Sequence, residues 1–419
     1  MKVLLAPLGS RGDVQPQLVL GEELRRRGHL VTVATTPDFA GSVQERGFRY
    51  IAAGQPITES LHANRDMTEQ HPVLALPGQL RLVREHTRSS AAGLLAARPE
   101  ADIVVAAGLS FAAKALADKL EVPHVFCAYS LSAVYSAEHA PAVFPLFGLP
   151  RLANRALWAG LMVAMELTVR GVLNETRASL GLGPQRGLWM EALASELLLM
   201  QDSLLGELPG DVRGRVTHVP SLVPPSEHAR PLSDLLERFL RGAAVGSADA
   251  SPVVYLGFGS MPSVDYARVL DIARELFEQH GARVVLYGPH GVHADAELPA
   301  GVFVTGDTDH QSLFPRVDLL VHHGGAGTTA AALRSGVPQL IVPHIVDQFF
   351  HGHRIAQLGI GPAPVAKNAL TAAAIAAALK NRFKYWGPAQ SARAKVTPEG
   401  GAAQAADYLE RLVAERQKG

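Results

Sequence analysis

Residues Gly9–Pro16, GSRGDVQP, combine glycines with one carboxylate, that of Asp13. An apolar run precedes them and an amphipathic run follows, a pattern that predicts a turn between a strand and a helix. A carboxylate held at such a turn can take a proton from an attacking hydroxyl. Asp13 shortly before Pro16 is also typical of a helix N-cap, which does no chemistry. Taken alone, the turn favours the cap.

A second turn, His322–Thr329 or HHGGAGTT, places two histidines beside Gly324, Gly325 and Gly327 at the end of an apolar run. Glycines let a diphosphate approach the backbone amides and the positive end of a helix, here predicted to begin near Thr328. The Lys-Ser/Thr of a Walker loop and the G-x-G-x-x-G spacing of the dinucleotide fingerprint are both missing. The turn predicts a site for another phosphate ligand, although packing alone also produces glycine-rich turns.

Apolar runs of strand length alternate with helical patterns in both halves of the chain. The runs are KVLLAP, LVTVAT, RYIAA, DIVVAA and HVFCAY in the first half, and PVVYLGF, RVVLYG, VFVTG, DLLVHH and QLIVP in the second. Continuous apolar strands separated by helices predict parallel sheets covered on both faces. We therefore expect an α/β protein with two facing doubly wound Rossmann-like domains and a ligand cleft beyond the carboxyl ends of the strands.

The predicted domain boundary is rich in proline. Prolines at 220, 224, 225 and 231 oppose both helix and central strand. We divide the chain into an N-terminal acceptor-binding domain at 1–218, a linker at 219–236 and a C-terminal donor-binding domain at 237–399. The remaining residues, 400–419, are predicted to form a helix that packs back on the first domain.

Composition limits the ligands and the compartment. Lys plus Arg and Asp plus Glu both total 39, so the formal net charge is zero and gives no electrostatic argument for a nucleic-acid or anionic-membrane partner. The single cysteine, Cys127, excludes an internal disulfide and fits a reducing cytoplasm. No window approaches the ~20 apolar residues that span a bilayer, so we expect no stable membrane insertion.

The two turns together carry a resemblance to a known family. HHGGAGTT, followed by Asp347-Gln348, resembles the donor-binding signature of the family 1 nucleotide-sugar glycosyltransferases, which have the GT-B fold. GSRGDVQP resembles the branch that contains sterol glucosyltransferases, glycolipid rhamnosyltransferases and vancomycin-type antibiotic glycosyltransferases. The resemblance covers essentially the whole chain.

The resemblance implies an inverting transfer of a hexose or deoxyhexose from a UDP- or dTDP-sugar to a hydroxyl, with Asp13 as the general base. His322 corresponds to a histidine that contacts the diphosphate, and Asp347 and Gln348 to a pair that binds sugar hydroxyls. The full set of implied donor contacts is Ser10, Arg11, Gly12, Gly259, Ser260, Thr308, Asp309, His310, His322, Gly324, Gly325, Ala326, Gly327, Thr328, Asp347 and Gln348. No cofactor is implied.

Acceptor contacts are expected in the irregular stretches of the first half, which carry aromatic residues and methionine suited to an apolar acceptor such as a natural product, sterol or lipid. The candidates are His62, Met67, Phe111, Tyr129, Tyr135, Phe144 and Trp158. For each of them, packing in the core is the alternative.

Two other motifs imitate metal sites. The D-T-D at Asp307–Asp309 lies in the loop expected to hold the base, and the helix dipole already serves the phosphates, so we expect no metal there. His351 and His353 would diverge on a helix, and we expect both at the solvated surface.

Three other functions fit a chain of this architecture. A nucleotide-sugar epimerase or hydrolase would use the donor without an acceptor, and a regulator would bind the donor without chemistry. A Rossmann dehydrogenase is disfavoured by the missing fingerprint.

Overall fold

The computed structural model describes residues 1–57, 72–187, 196–212, 215–225, 229–241, 251–259, 261, 264–288 and 298–418. Three candidate site residues, His62, Met67 and Ser260, lie outside these described residues. The chain forms two compact units. Unit 1 comprises Met1–Ser203, Glu207–Val223 and Gly400–Gly419, and unit 2 comprises Leu204–Gly206 and Pro224–Glu399.

Unit 1 is built on a parallel seven-stranded sheet with the order β3-β2-β1-β4-β5-β6-β7 among the described residues. Its strands are β1 Lys2–Leu8, β2 Leu30–Thr35, β3 Arg49–Ala52, β4 Ile103–Gly108, β5 His124–Ala128, β6 Leu197–Met200 and β7 Val216–Val219. Its helices are α1 Arg11–Arg26, α2 Ala40–Glu45, α3 Pro72–Ala97, α4 Ala113–Leu120 and α5 Arg151–Ser179. The central pairs β1–β2 and β1–β4 are parallel, so their carboxyl ends meet at one edge.

Unit 2 has a parallel five-stranded sheet, in the part of the chain that is described, with the order β10-β9-β8-β11-β12. Its strands are β8 Val253–Gly257, β9 Arg283–Tyr287, β10 Val302–Thr305, β11 Leu319–His322 and β12 Gln339–Ile341. Its helices are α6 Asp234–Leu240, α7 Tyr266–His280, α8 His310–Leu313, α9 Ala326–Ser335, α10 Asp347–Gln357, α11 Ala372–Lys380 and α12 Arg382–Arg393. The prediction of two doubly wound parallel sheets is confirmed.

The last helix, α13 Ala402–Lys418, belongs to unit 1 and packs on α1. Leu409 is fully buried in the same apolar cluster as Leu20 and Leu24 of α1. At the rim of this contact, Arg27 donates to Asp407 (2.6 Å) and to Glu410 (2.9 Å). Apart from the short segment Leu204–Gly206, the polypeptide passes from unit 1 to unit 2 at Val223–Pro224 and returns at Glu399–Gly400.

Helix α5 corrects the expectation that no segment has the length and composition to cross a membrane. By those two criteria it qualifies, although only 28% of its most apolar window is buried. The sequence of α5 interrupts its apolar residues with Glu166 and Arg170, and these two side chains pair with each other at 2.9 Å. Hydropathy averaged over a window tolerates such charges, whereas a count of consecutive apolar residues stops at them.

Candidate functional site

The turn after β1 is organised by the carboxylate of Asp13. Ser10 is the N-cap of α1, and its backbone N–H donates to Asp13 Oδ2 at 2.8 Å. The Ser10 hydroxyl accepts the N–H of Gly12 and itself donates to Asp13 Oδ2, both at 3.2 Å. These bonds form a capping box in which Asp13 occupies the third helical position, while Arg11 begins the helix and is exposed.

The carboxylate of Asp13 lies against backbone at the carboxyl ends of two strands. A Cβ atom at Gly9 would lie 2.2 Å from Asp13 Oδ2, and one at Gly108 would lie 3.0 Å from Asp13 Oδ1. The absence of side chains at these two glycines therefore makes room for the carboxylate. Asp13 is held at the edge of the sheet where ligands bind in parallel α/β structures.

Tyr129 anchors the same turn from the neighbouring strand β5. Its hydroxyl donates to the backbone carbonyl of Asp13 at 2.8 Å and accepts from Gln17 Nε2 at 3.2 Å. Burial raises the pKa of Tyr129 well above its ordinary value, and the nearby Cys127 and Asp13 raise it further. The sequence predicts Tyr129 as an acceptor contact, whereas in the structure its hydroxyl holds the backbone of the first turn.

The other described acceptor candidates fall into separate groups. Tyr135 and Trp158 form an edge-to-face pair with ring centroids 5.6 Å apart, and the indole N–H of Trp158 donates to the carbonyl of His139 at 3.0 Å. Phe111 is buried and stacks on Phe126. Phe144 is half-buried in the loop before α5. The structure thus brings Tyr135 and Trp158 together and places Phe111 in the core.

In unit 2 the glycine-rich turn runs directly into a helix. Helix α9 begins at Ala326, with Gly325 as its N-cap, so the predicted start near Thr328 is two residues too late. The amides of Ala326, Gly327 and Thr328 therefore belong to the first helical turn, where backbone N–H groups have no intrahelical acceptor. A Cβ atom at Gly327 would meet no atom within 4 Å, so the outer side of this turn is open.

Two glycines of this turn permit close packing. Gly324 has φ +87°, and a Cβ atom there would lie 2.7 Å from Ile341 Cγ2. A Cβ atom at Gly325 would lie 2.5 Å from His323 Nε2. Any larger residue at either position would displace the turn.

The first histidine of the turn, His322, ends β11 and is fully buried. Its Nε2 lies 3.0 Å from Gln339 Oε1, and its Nδ1 accepts the N–H of Gly324 at 3.1 Å. This pattern selects the neutral imidazole with the proton on Nε2. Burial lowers the pKa of His322 to about 4. In this arrangement the ring fixes the direction of the turn through the amide of Gly324.

The second histidine, His323, lies on the other side of the backbone. Its ring approaches Gly325 and also Gly259, where a Cβ atom would lie 3.3 Å from His323 Cε1. Its Nδ1 is buried and has no hydrogen-bond partner among the described residues. Burial, with a smaller contribution from the neighbouring His322, lowers the pKa of His323 to about 3. His323 is therefore a neutral imidazole beside the turn.

Asp347 and Gln348 open helix α10 after a strained residue. Val346, the residue before them, has φ +46° and ψ −120°, a rare conformation for a β-branched side chain. Gln348 Oε1 accepts the N–H groups of His344 (2.8 Å) and Ile345 (3.1 Å) and so holds the preceding loop. Burial raises the pKa of Asp347, opposed chiefly by the nearby His351.

The position of His351 contradicts the expectation that this residue lies at the solvated surface. It is fully buried, and its Nδ1 lies 2.7 Å from the carbonyl of Gly324 and 3.9 Å from Asp347 Oδ2. His353 is half-buried. Helix α10 packs on β12, and Ile355, one turn after His351, lies in an apolar cluster with Ile341 of β12. The two histidines do diverge on the helix, but their spacing does not show which face is buried. His351 thereby links the glycine-rich turn to the start of α10.

In the loop expected to hold the nucleoside base, the carboxylates of Asp307 and Asp309 contact other groups of the protein. Asp309 caps α8: its Oδ1 accepts the N–H of Gln311 at 2.8 Å, and its Oδ2 accepts the N–H of Arg230 at 3.0 Å. Asp307 lies 3.5 Å from the guanidinium of Arg230. Thr308 bonds to the hydroxyl of Thr305. The ring of His310 stacks on Phe314 with centroids 4.2 Å apart.

Sequence reasoning missed Gln339, Gln17 and His344. Gln339 and Gln17 are fully buried, and each hydrogen-bonds a side chain of a candidate site. The signal available in the sequence was an amide within a strongly apolar stretch, which demands a partner when buried. His344 is buried beside Phe258, and burial lowers its pKa to about 4.

Comparisons with known proteins agree with this architecture. The Glycosyltransferase family 28 N-terminal domain matches residues 3–126, and the Erythromycin biosynthesis protein CIII-like, C-terminal domain matches residues 280–404. Glycosyltransferase GtfE of Amycolatopsis orientalis is 34% identical over 434 aligned positions, covering 100% of this chain and 99% of the relative.

Two further relatives and one solved structure extend the comparison. The vancomycin aglycone glucosyltransferase of Amycolatopsis orientalis is 32% identical, with 90% of each chain covered. Sterol 3-beta-glucosyltransferase UGT80B1 of Arabidopsis thaliana is 30% identical over 87% of this chain and 60% of its own length. The crystal structure of glycosyltransferase VinC, 20% identical, superposes with a TM-score of 0.70 over 99% of this chain and 100% of VinC, and shows the shared fold. The chain is therefore a glycosyltransferase, a member of the GT-B family of nucleotide-sugar-dependent enzymes that includes the vancomycin-type antibiotic glycosyltransferases and the sterol glucosyltransferases.

Proposed function

We propose that this protein transfers a hexose or deoxyhexose from a UDP- or dTDP-sugar to a hydroxyl of an apolar small molecule, with inversion at the anomeric carbon. The glycine-rich turn of unit 2 carries the proposal, because the N-cap Gly325 provides no capping side chain and the amides of the first helical turn suit a diphosphate. We assign the donor to unit 2, and the base and the acceptor contacts to unit 1.

Asp13 is the proposed general base. As the acceptor oxygen attacks the anomeric carbon, its proton passes to the Asp13 carboxylate and the bond from the sugar to the diphosphate breaks. The capping box and the Tyr129 hydroxyl fix the backbone and one carboxylate oxygen of Asp13. A base held in place in this way loses little entropy when the acceptor binds.

The leaving diphosphate is stabilised by the positive end of α9 and by the amides of its first turn. His322 supports this site by directing the amide of Gly324, and the neutral ring of His323 lies beside the turn as a further donor contact. Asp347 and Gln348 follow as the proposed contacts to sugar hydroxyls.

We propose that the transfer needs no metal ion. The two carboxylates that imitate a metal motif already have protein partners: Asp307 pairs with Arg230, and Asp309 caps α8. A metal at the diphosphate would also duplicate the charge that the helix terminus supplies. Activity that is abolished by a chelator and restored by magnesium would contradict this part of the proposal.

The substrate classes follow from the relatives. The relatives described above are named for vancomycin aglycone and sterol acceptors, and VinC was crystallised with dTDP. The aromatic pair of Tyr135 and Trp158, the latter a residue of α5, suits a ring-containing or lipid acceptor. We therefore propose an aglycone, polyketide, sterol or lipid hydroxyl as the acceptor.

The experiment incubates the purified protein, in chelator, with UDP- and dTDP-sugars and a panel of hydroxylated aglycones, sterols and lipids. Mass spectrometry then detects acceptors that have gained one sugar, and NMR of the product gives the anomeric configuration. A conjugate with inverted configuration supports the proposal. Retention of configuration contradicts the mechanism, and donor consumed without conjugate indicates a hydrolase or epimerase.

A further inference from the structure

The backbone carbonyl of Gly324 is held by a histidine from another helix. His351 of α10 is fully buried, and its Nδ1 lies 2.7 Å from this carbonyl oxygen. A carbonyl oxygen can only accept a hydrogen bond, so Nδ1 carries the proton and donates it. The Nε2 of the same ring is buried and has no hydrogen-bond partner among the described residues. Within that part of the chain, the one hydrogen bond of the ring therefore goes to the glycine-rich turn.

The N–H of the same glycine is held by a second buried histidine. His322 Nδ1 accepts the N–H of Gly324 at 3.1 Å. Gly324 has φ +87°, and neither it nor its neighbour Gly325 has a Cβ atom to limit rotation of the backbone. Two successive glycines keep a fixed conformation only if other groups hold them. Here the two histidines supply that restriction, one at the N–H and one at the carbonyl of Gly324.

The bond from His351 also sets the direction of the next amide. The carbonyl of Gly324 and the N–H of Gly325 belong to one planar peptide group, and in a trans peptide they point in opposite directions. The peptide bonds of the described residues are all trans. Fixing the carbonyl therefore fixes the N–H of Gly325, the N-cap residue of α9. Amides that are oriented in advance stabilise an anion without a cost of reorganisation.

The same ring lies close to the proposed sugar contact. His351 follows Asp347 by one turn of α10, and its Nδ1 is 3.9 Å from Asp347 Oδ2. The backbone at the start of α10 also approaches the turn, since a Cβ atom at Gly324 would lie 3.1 Å from the carbonyl oxygen of Gln348. One buried side chain thus adjoins both the turn assigned to the diphosphate and the carboxylate assigned to the sugar.

We propose that His351 is a positioning residue of the donor site, which holds the peptide between Gly324 and Gly325 in the orientation that binds the diphosphate. Because the ring is fully buried, it acts through the turn and not by touching the donor. The inference rests on the proposed function, since it takes the glycine-rich turn as the site of the diphosphate.

The test compares three variants of His351 in the intact protein, with UDP and dTDP as probes and titration calorimetry as the measurement. The side-chain amide nitrogen of Asn can take the place of Nδ1, that of Gln takes the place of Nε2, and Leu has no donor. His351→Leu should weaken nucleotide binding by at least about tenfold, because a buried carbonyl loses its donor. His351→Asn should bind within about threefold of the wild type, and His351→Gln should resemble His351→Leu.

The order of the variants separates positioning from packing. Gln is closer to His in size than Asn is, so a side chain that only fills space would be replaced better by Gln. This comparison decides the test even if His351→Leu does not fold. Circular dichroism melting shows which variants are folded.

Two control variants accompany the test. His353→Leu changes the half-buried histidine of the same helix and should bind nucleotide like the wild type. Leu276→Ala removes a fully buried side chain from α7, which packs on β9 and β10 at the other end of the sheet from β12. It should lower the melting temperature and leave nucleotide affinity unchanged.

Three outcomes would overturn the inference while leaving the proposed function intact. They are a folded His351→Leu protein that binds nucleotide like the wild type, better binding by His351→Gln than by His351→Asn, and controls that lose affinity as much as His351→Leu does. A wild type that binds neither nucleotide, or that binds equally well after Gly327→Val, would contradict the proposed donor site and this inference with it.

Discussion

At the scale of single residues, Asp13 has two roles that leave different signatures. Its carboxylate accepts two bonds from Ser10 and so caps α1. Loss of a cap costs about 1 kcal/mol, whereas loss of a general base lowers the rate by roughly 10²–10⁴-fold. The two roles can therefore be separated by measuring stability and turnover on the same variant.

We predict that Asp13→Asn, which keeps an oxygen able to accept from Ser10, folds with a melting temperature close to that of the wild type and loses roughly 10²–10⁴-fold in kcat. Ser10→Ala is the matched control, because it removes the cap hydroxyl and keeps the carboxylate. This control should lose about 1 kcal/mol of unfolding free energy while the carboxylate remains available for proton transfer. An Asp13→Asn enzyme with the turnover of the wild type would restrict Asp13 to capping.

Within the elements that surround the donor site, buried neutral histidines couple folding to pH. Burial lowers the pKa values of His322 and His344 to about 4. Between the ordinary histidine pKa of about 6.5 and that value, the unfolded chain binds protons at these positions and the folded chain does not. The stability they contribute is complete at neutral pH and falls as pH decreases towards 4.

We predict that the unfolding free energy of unit 2 decreases between pH 7 and pH 5, each such histidine adding a slope of up to about 1.4 kcal/mol per pH unit. Thermal unfolding of the intact protein across this range measures the slope. His344→Gln should reduce it, and His280→Gln, at the exposed end of α7, should not. A melting temperature that is constant or rises on acidification would show that other groups dominate.

Helix α13 gives a second prediction at this scale. Leu409 is fully buried between α13 and the core of unit 1, so Leu409→Ala should cost about 2–5 kcal/mol of the stability of that unit. Chemical denaturation followed by circular dichroism measures the loss. Arg411→Ala, two positions further on the exposed side, serves as the control and should change stability by less than about 0.5 kcal/mol. Equal effects of the two variants would mean that α13 contributes little packing.

Much of the fold was predictable at the scale of elements, because parallel sheets buried on both faces produce continuous apolar runs. All ten predicted runs are strands. The strands β6 and β7 were missed, and β7, with the sequence VTHV, is only partly apolar. The C-terminal helix was expected to pack back on the first domain, but its partner there, α1, is set by tertiary contacts that local patterns do not specify.

The positions of the candidate site were predictable where glycines and charged residues mark a turn. The directions and the burial of its side chains were less predictable. The sequence identified HHGGAGTT, but it could not show that the two rings of His322 and His323 point to different surroundings. It also placed His351 at the surface, because the carbonyl of Gly324 that it meets lies far from it in the chain. Side-chain direction at a strand end depends on backbone angles that composition does not fix.

At the scale of the whole molecule, binding of the donor nucleotide should stabilise one unit more than the other. A ligand that binds only the folded state stabilises it by about 2.7 kcal/mol at a concentration one hundred times Kd. Since the glycine-rich turn belongs to unit 2, we predict that UDP or dTDP raises the calorimetric transition of unit 2 and leaves that of unit 1 almost unchanged. Gly327→Val, which fills the open side of the turn, should abolish this shift. A nucleotide effect confined to unit 1 would place the donor elsewhere.

The chain leaves unit 1 at Val223 and returns to it at Gly400, and this connectivity affects how parts of such enzymes can be exchanged. The outgoing and returning segments lie together in unit 1, where Gly401 N–H donates to the carbonyl of Ser221 at 3.2 Å. Residues 224–399 are thus an insertion with neighbouring ends, and a gene fragment encoding them can be exchanged as one cassette. The exception is the segment Leu204–Gly206, which also belongs to unit 2. Its Leu205 lies in an apolar cluster with Leu333 and Ile341, and Leu204 packs against that cluster. A hybrid enzyme made by this exchange must keep an apolar pocket for these two leucines.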